Sequence, residues 1–453
     1  MDQIIPILRG LLGLAAFLGI AWAFSLNRRA IDWRLVGGGM GLQLVVGLLV
    51  IKVPPVRAVF EVVSGMFVQI LAFTQEGVNL VFGWIAGIPS GDAGVLINAT
   101  SPASGEAVTL PTFAPAFAVT ILPSIIFFSA LTSLLYYLGI LQRIVVAFAW
   151  LLSKTMKLSG AESLSASANI FVGQTEAPLL IKPYLGNMTR SELLAIMVGG
   201  MSTIAGGVLV VYITLLGGND PAERIRFATH LLTASVISAP AALVIAKILL
   251  PQTEEVSRDL HVSKDKLGAN ALDAICVGTT DGIKLAVNVG GMLIVFTALI
   301  AMLNYMLNHW LGGWSGINDA IASFSDGRFP TLSLQFVFAL IGAPIAWLMG
   351  VDSSHLLLAG QLLGEKTVLN EFVAYFTMNQ MRVDGVLTDE RTRVIMTYAL
   401  CGFSNIVSIG IQIGGIGALA PEKREMLAKL GWRALLGGSL ACFLTASIAG
   451  MLI

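Results

Sequence analysis

Two carboxylates stand where an apolar chain can least tolerate charge. Glu176 closes the run Gly173-Gln174-Thr175-Glu176, just before Ala177 and Pro178, in the middle of the apolar stretch 160–186. Glu371 lies between Asn370 and Phe372 in a second such stretch, 331–379. A carboxylate at the centre of a bilayer costs about 2.5–3.5 kcal/mol on insertion scales, so inside a membrane it marks a binding site by default. The bland alternative is a tilted loop or a helix end that leaves each group in water. Beside the carboxylates stand neutral amides and hydroxyls: Gln174, Thr175, Asn405 and Ser408, with Asn169 and Thr203 nearby. No Arg or Lys accompanies them, so an anionic substrate is not expected. A carboxylate accepts from two hydroxyls, which suits a vicinal diol. An amide offers donor and acceptor together, which suits the edge of a heterocycle, and Phe403 can pack against either ring. The set describes a neutral polyhydroxy or heterocyclic solute and singles out no one compound. Asn169 and Thr203, with unwound carbonyls, either cage Na⁺ or hydrogen-bond between helices.

Such residues need helices around them, and the composition supplies little else. Of 453 residues 56% are apolar and 12% charged, with 27 basic against 27 acidic, and the mean hydropathy is +0.83. Soluble chains carry about twice that charge. Disorder, a soluble enzyme surface and a basic nucleic-acid footprint are all excluded. One polytopic membrane domain remains. Stretches of about 20 apolar residues fall at roughly 7–25, 35–53, 118–140, 192–216, 226–250, 285–311, 393–419 and 431–453. With the N-terminus outside, inside loops hold fourteen Lys and Arg and outside loops eight, so both termini are expected outside. The segment 84–117 has no Lys or Arg and reads as a translocated loop. Residues 57–83 and 268–284 are apolar but interrupted by charge, and both read as interfacial helices.

Where the apolar stretches break, they break alike. Pro178 cannot donate a backbone hydrogen bond and Gly173 tolerates positive φ, so 160–186 is expected to be a re-entrant hairpin lining a cavity. Segment 331–379 repeats the design: an arm 331–350 ends at Gly350-Val-Asp352, and Glu371 lies within a second arm whose Glu365 and Lys366 could pair. The span 192–216 is broken at 199–207 and the span 393–419 at 401–408. The order is hairpin, broken span, two whole spans, hairpin, broken span. Paired broken segments in two halves point to a transporter's midplane site. The expectation is an all-α polytopic protein of eight spans, with two opposed hairpins, interfacial helices and an inverted-repeat core. Residues 1–117 would form scaffold helices, an interfacial helix and the loop, and 118–453 the core.

Other chemistry finds no purchase. His230, His261, His309 and His355 are dispersed, and Cys276, Cys401 and Cys442 form no C-x-x-C pair. Neither a zinc hydrolase nor a redox site is expected. A continuous charged pore is not suggested by paired hairpins.

Three runs then resemble a known family. Asn169-Ile-Phe-Val-Gly-Gln-Thr-Glu-Ala-Pro178, Val368-Leu-Asn-Glu-Phe-Val-Ala-Tyr375 and Cys401-Gly-Phe-Ser-Asn-Ile-Val-Ser408 resemble, in order, the first hairpin, second hairpin and seventh span of the concentrative nucleoside transporters. The resemblance covers roughly 118–453. It implies a homotrimeric secondary active symporter in the bacterial inner membrane, not an enzyme, importing nucleosides with Na⁺ or, in some members, H⁺. Carried onto this sequence, Gln174, Thr175 and Glu176 would face the nucleobase, with Val208 beside them. Glu371, Asn405 and Ser408 would hold the ribose, bordered by Phe403, and Ser404 would add a hydroxyl near it. Na⁺ would take the side chains of Asn169 and Thr203 and the carbonyls of Val172 and Ile204. Intact Na⁺ positions favour Na⁺ over H⁺. A mobile unit of hairpins and broken spans would move against a fixed scaffold. The Gly pairs at 199–200, 206–207 and 414–415 would let helices pack closely in that unit.

Overall fold

The computed structural model describes residues 4–82, 96–100, 107–111, 117–120, 122–218, 220–257 and 268–453. Two long apolar helices open the chain, α1 (Ile4–Ala23) and α2 (Trp33–Lys52). The Asp32 carboxylate starts α2 by accepting from the Arg34 and Leu35 N–H groups. Of the stretch 57–83, expected as an interfacial helix, residues 57–82 lie in α3 (Pro54–Phe82), one unbroken helix of 29 residues. Its polar groups do not interrupt it, because they lie on an exposed surface where Arg57 pairs with Glu61 at 2.7 Å. By length and hydropathy α3 would also suit a span. The expected loop 84–117 contributes a hairpin, β1 (Leu96–Thr100) antiparallel to β2 (Ala107–Pro111), with Asn98 opposite Thr109. The rest of that loop, apart from Phe117, lies outside the described residues, as do Arg258, Lys264, Lys266 and His261.

From residue 122 the chain runs through one series of elements twice. The first series is α4 (Leu122–Tyr137), α5 (Ile140–Met156), α6 (Gly160–Ala168), an irregular turn, the broken pair α7 (Arg190–Ser202) and α8 (Gly206–Gly217), and the whole helix α9 (Pro221–Leu249). The second is α10 (Ala271–Met306), α11 (Leu334–Leu348), α12 (Leu356–Val368), α13 (Glu371–Val383), the broken pair α14 (Glu390–Leu400) and α15 (Ile406–Leu419), and α16 (Arg424–Leu452). Side-chain caps start these helices where the sequence needs a restart. Ser159 and Thr189 form capping boxes with Glu162 and Glu192, and Asn370 and Asn405 cap α13 and α15. Each satisfies N–H groups that a helix end leaves orphaned.

Three expectations change here. Segment 268–284 is not a separate interfacial helix but the first part of α10, which no proline interrupts. Gly278 and Gly282 let α10 lie on α4: a Cβ at either would come within 2.7 Å of Ser129 O or Ile126 Cα. Segment 331–379 is three helices rather than two arms. α11 and α12 fold back on each other at Gly350, where φ is +92°, and a second turn at Leu369–Asn370 makes Glu371 the first residue of α13. Glu365 and Lys366 do not pair: Gln361 donates to Glu365 at 2.8 Å, and Lys366 donates to the Ala399 carbonyl at 2.7 Å. The buried ammonium thus caps the C-terminus of α14, where the helix dipole favours a cation.

The four helices α7, α8, α9 and α16 form the interior, and α1 and α2 pack against α16 and α9. By contrast α3 and α10 are apolar but bury few of their residues, as lipid-facing helices do. Among the described residues, seven helices are long and apolar enough to cross a bilayer. Counting α4 and α5, bent by 77°, as one span makes eight. The base of α6 is tied to α9 by an ion pair between Glu162 and Lys247, both almost fully buried. Lys247 also donates to Ser191 at 2.9 Å on α7.

Candidate functional site

The helix breaks meet. Span α7/α8 opens at Thr203–Ala205 and span α14/α15 at Cys401–Asn405. They touch at Gly402, whose φ is +151° and where a Cβ would lie 2.8 Å from the Ser202 carbonyl carbon. Only glycine fits that contact. The turn after α6 presents Gln174 to the far break, since its Nε2 donates to Ser408 Oγ at 3.2 Å. The turn before α13 returns the gesture: Glu371 Oε1 accepts from Tyr212 on α8 at 2.8 Å. Each hairpin tip therefore reaches the opposite half's broken span, as two halves related by a two-fold would require.

Between tips and breaks lies a cavity of about 410 Å³, the size of a small-molecule site. All eight expected substrate residues line it: Gln174, Thr175, Glu176, Val208, Glu371, Phe403, Asn405 and Ser408. Glu371 is 4% exposed, and its second oxygen accepts from Asn405 Nδ2 at 3.0 Å. Asn405 is held in turn by accepting the Ser408 N–H at 2.8 Å. Glu176 Oε2 accepts from the Gly173 N–H at 3.2 Å and its side chain is open to the cavity. Ser404, expected near the sugar side, does not line the cavity; it is fully buried against Cys442.

The wall opposite the breaks comes from α10 and carries what the sequence reading missed. Asp281 and Lys284 line the cavity, 3.5 Å apart, with Asn288 beside them. A lysine is therefore present after all, but it is matched by its own carboxylate and adds no net charge. Reading 268–284 as a separate helix had hidden it. Tyr212 was missed because it lies in an apolar run, and only its partner shows its use. Gln412, fully buried, stands behind Gln174 and donates to its Oε1 at 3.0 Å.

Beneath the first tip, the Asn169 amide is 1% exposed, and among the described residues neither its oxygen nor its nitrogen has a hydrogen-bond partner. A buried unpaired amide is costly, and a bound cation would satisfy its oxygen. Thr203 Oγ1 donates to Gly199 O at 3.0 Å, and a Cβ on the same Gly199 would lie 3.5 Å from Asn169 Nδ2. The structure thus gathers Asn169 and Thr203 around one residue, with Val172 and Ile204 buried close by in sequence. Among the described residues no group of three or more His, Cys, Asp or Glu could hold a metal ion.

Known proteins share this sequence and shape. Models of the N- and C-terminal parts of Na⁺ dependent nucleoside transporters match residues 12–85 and 230–450, and a nucleoside-recognition model matches 118–219. The chain is 40% identical to an uncharacterized transporter of Haemophilus influenzae, over 99% of this chain and 98% of that one. It is 37% identical to the nucleoside permease NupC of Helicobacter pylori, over 97% and 96%. Among solved structures, CNTnw in an inward-facing substrate-bound state superposes with a TM-score of 0.83 at 36% identity, over 98% of this chain and 99% of that one. The likeness runs the length of the chain. Its architecture is therefore, in outline, the one expected: a helical membrane core with two opposed re-entrant hairpins.

Proposed function

This chain belongs to the concentrative nucleoside transporter family, and from that premise we propose that it imports nucleosides across a bacterial cytoplasmic membrane, driven by the Na⁺ gradient. It is a multi-pass membrane transporter. Glu371 carries the substrate assignment. Tyr212 and Asn405 each occupy one of its oxygens, and the remaining lone pairs accept the vicinal hydroxyls of a ribose. Asn405 and Ser408 complete that end, with Phe403 against the sugar. Gln174, Thr175 and Glu176 meet the base, flanked by Val208. The unpartnered Asn169 amide supports Na⁺ rather than H⁺, with Thr203 Oγ1 and the carbonyls of Val172 and Ile204 as further ligands.

In this reading 118–453 is the transporter core, and 1–117 supplies scaffold helices and the extracytoplasmic loop, with both termini outside. Hairpins and broken spans carry substrate and ion together against α4 and α10, as an elevator does. Three copies assemble in the bilayer, with α10 contributing to the contact. The test is uptake of radiolabelled uridine into proteoliposomes. Uptake should require an inward Na⁺ gradient. Equal uptake in choline at fixed pH would remove Na⁺ coupling, and no uptake under either a Na⁺ or an H⁺ gradient would remove the nucleoside.

A further inference from the structure

Gln412 has no place in the cavity wall, yet it is completely buried and its amide nitrogen is doubly engaged. Nε2 donates to the Met197 backbone carbonyl at 3.0 Å and to Gln174 Oε1 at 3.0 Å. A backbone carbonyl can only accept. The Met197 contact therefore fixes which end of the Gln412 amide faces inward, a choice that side-chain shape alone leaves open. Because the nitrogen faces inward, Gln174 must offer its oxygen to Gln412. Its own nitrogen is then turned to Ser408 Oγ, at 3.2 Å. Ser408 accepts there, so its own hydroxyl hydrogen is left for another acceptor. One backbone carbonyl thus sets the polarity of a chain: Met197 to Gln412 to Gln174 to Ser408. Space for it depends on Gly200. A Cβ there would lie 2.7 Å from Gln412 Nε2 and 2.8 Å from Gln174 Cβ, so any side chain would part the two amides.

We propose that Gln412 is a positioning residue that locks the Gln174 amide with its N–H side toward the substrate, so that the site selects a base presenting a hydrogen-bond acceptor. Gln412 touches no substrate and acts only through Gln174. This rests on the nucleoside reading above, with Gln174 at the base. With the lock in place, a base carbonyl or ring nitrogen finds a donor already aimed at it. Without it, Gln174 can turn its oxygen toward the base and set acceptor against acceptor.

The test compares binding of uridine with that of a benzene C-riboside, which keeps the ribose and ring but has no polar base atom. In the native chain with Na⁺, uridine should bind about tenfold more tightly, one good hydrogen bond's worth. Gln412→Met should bring the ratio close to one by weakening uridine alone, leaving the benzene riboside unchanged. In a Gln174→Ala background the same change should have no further effect on the ratio. Equal weakening of both ligands would show a merely structural role and overturn the proposal, as would an unchanged ratio. Should Gln412→Met not fold, Gln412→Glu keeps the length and shape but lacks the paired N–H donors, and it should lower the ratio likewise; an unchanged ratio overturns the proposal there too. A native chain that binds neither ligand would defeat the nucleoside reading and this inference with it. Native binding with a ratio that no variant moves would defeat this inference alone.

Discussion

A carboxylate buried at the start of a helix is useful only if its charge is aimed. Glu371 opens α13, where the helix dipole favours an anion, and Tyr212 and Asn405 hold its two oxygens from opposite sides. Tyr212 itself is 0% exposed and packs on Tyr375 with ring centroids 4.4 Å apart, so the phenol cannot swing away. Hydrogen bonds to a charged group are worth about 1.5–3 kcal/mol. Tyr212→Phe should therefore weaken uridine binding by about tenfold through a less ordered carboxylate. Glu371→Gln, which removes the charged acceptor, should weaken it by about a hundredfold. The loss should be much smaller for 2′-deoxyuridine, which lacks one of the two hydroxyls. Competition binding with both nucleosides checks this, and equal losses for the two would detach Glu371 from the diol.

At the scale of elements, hairpin and broken span are fastened to each other by backbone. The Gly206 N–H, at the start of α8, donates to the Phe171 carbonyl at 3.2 Å, and a Cβ on Gly206 would lie 2.7 Å from that same oxygen. Gly206→Ala should push the first hairpin's tip off the break. Overpacking of this kind costs about 1–3 kcal/mol, and here it falls between the Asn169 and Thr203 segments. The Na⁺ concentration for half-maximal uridine uptake should rise about tenfold, while uridine binding at saturating Na⁺ changes little. A loss of uridine affinity with unaltered Na⁺ dependence would place the ion elsewhere. The breaks themselves were legible in the sequence, because Gly173, Glu176, Glu371 and Asn405 are polar or flexible groups in apolar runs. What the sequence could not show depends on partners. Tyr212 reads as one more apolar residue until Glu371 is beside it. Gln412 reads as an isolated amide until Met197 and Gln174 close around it. The Asp281–Lys284 pair looked like the polarity of a surface helix, because nothing in the local pattern says that α10 continues for 36 residues. The glycine pairs were half right: Gly200, Gly206 and Gly415 are pressed against neighbours, whereas Gly414 meets nothing within 4 Å.

For the whole molecule, the distribution of burial says which parts can move together. The interior helices α7, α8, α9 and α16 are locked by apolar packing and by the Glu162–Lys247 pair at the base of the first hairpin. A pair this buried is strongly destabilising to break from one side, by about 3–5 kcal/mol. α4 and α10 form another tight unit, joined at Gly278 and Gly282, and Ser133 Oγ donates to Ala274 O at 2.8 Å. Between these units runs the cavity, with Glu176 on one wall and Asp281 on the other. If they slide past each other during transport, a cross-link inside a unit should be harmless and one across the cavity should not. Starting from a chain whose Cys276 is replaced by Ser, a disulfide between cysteines at 133 and 274 joins α4 to α10, where Ser133 Oγ already reaches the Ala274 carbonyl. It should leave uridine uptake near its uncross-linked rate. A bismaleimide bridge between cysteines at 176 and 281 would itself disturb binding, so its uncross-linked double variant is the reference; bridging should abolish the residual uptake, and reversal with a cleavable linker should restore it. Transport that survives the bridge across the cavity would mean that the two units do not slide, and that the solute crosses by opening of the hairpins alone.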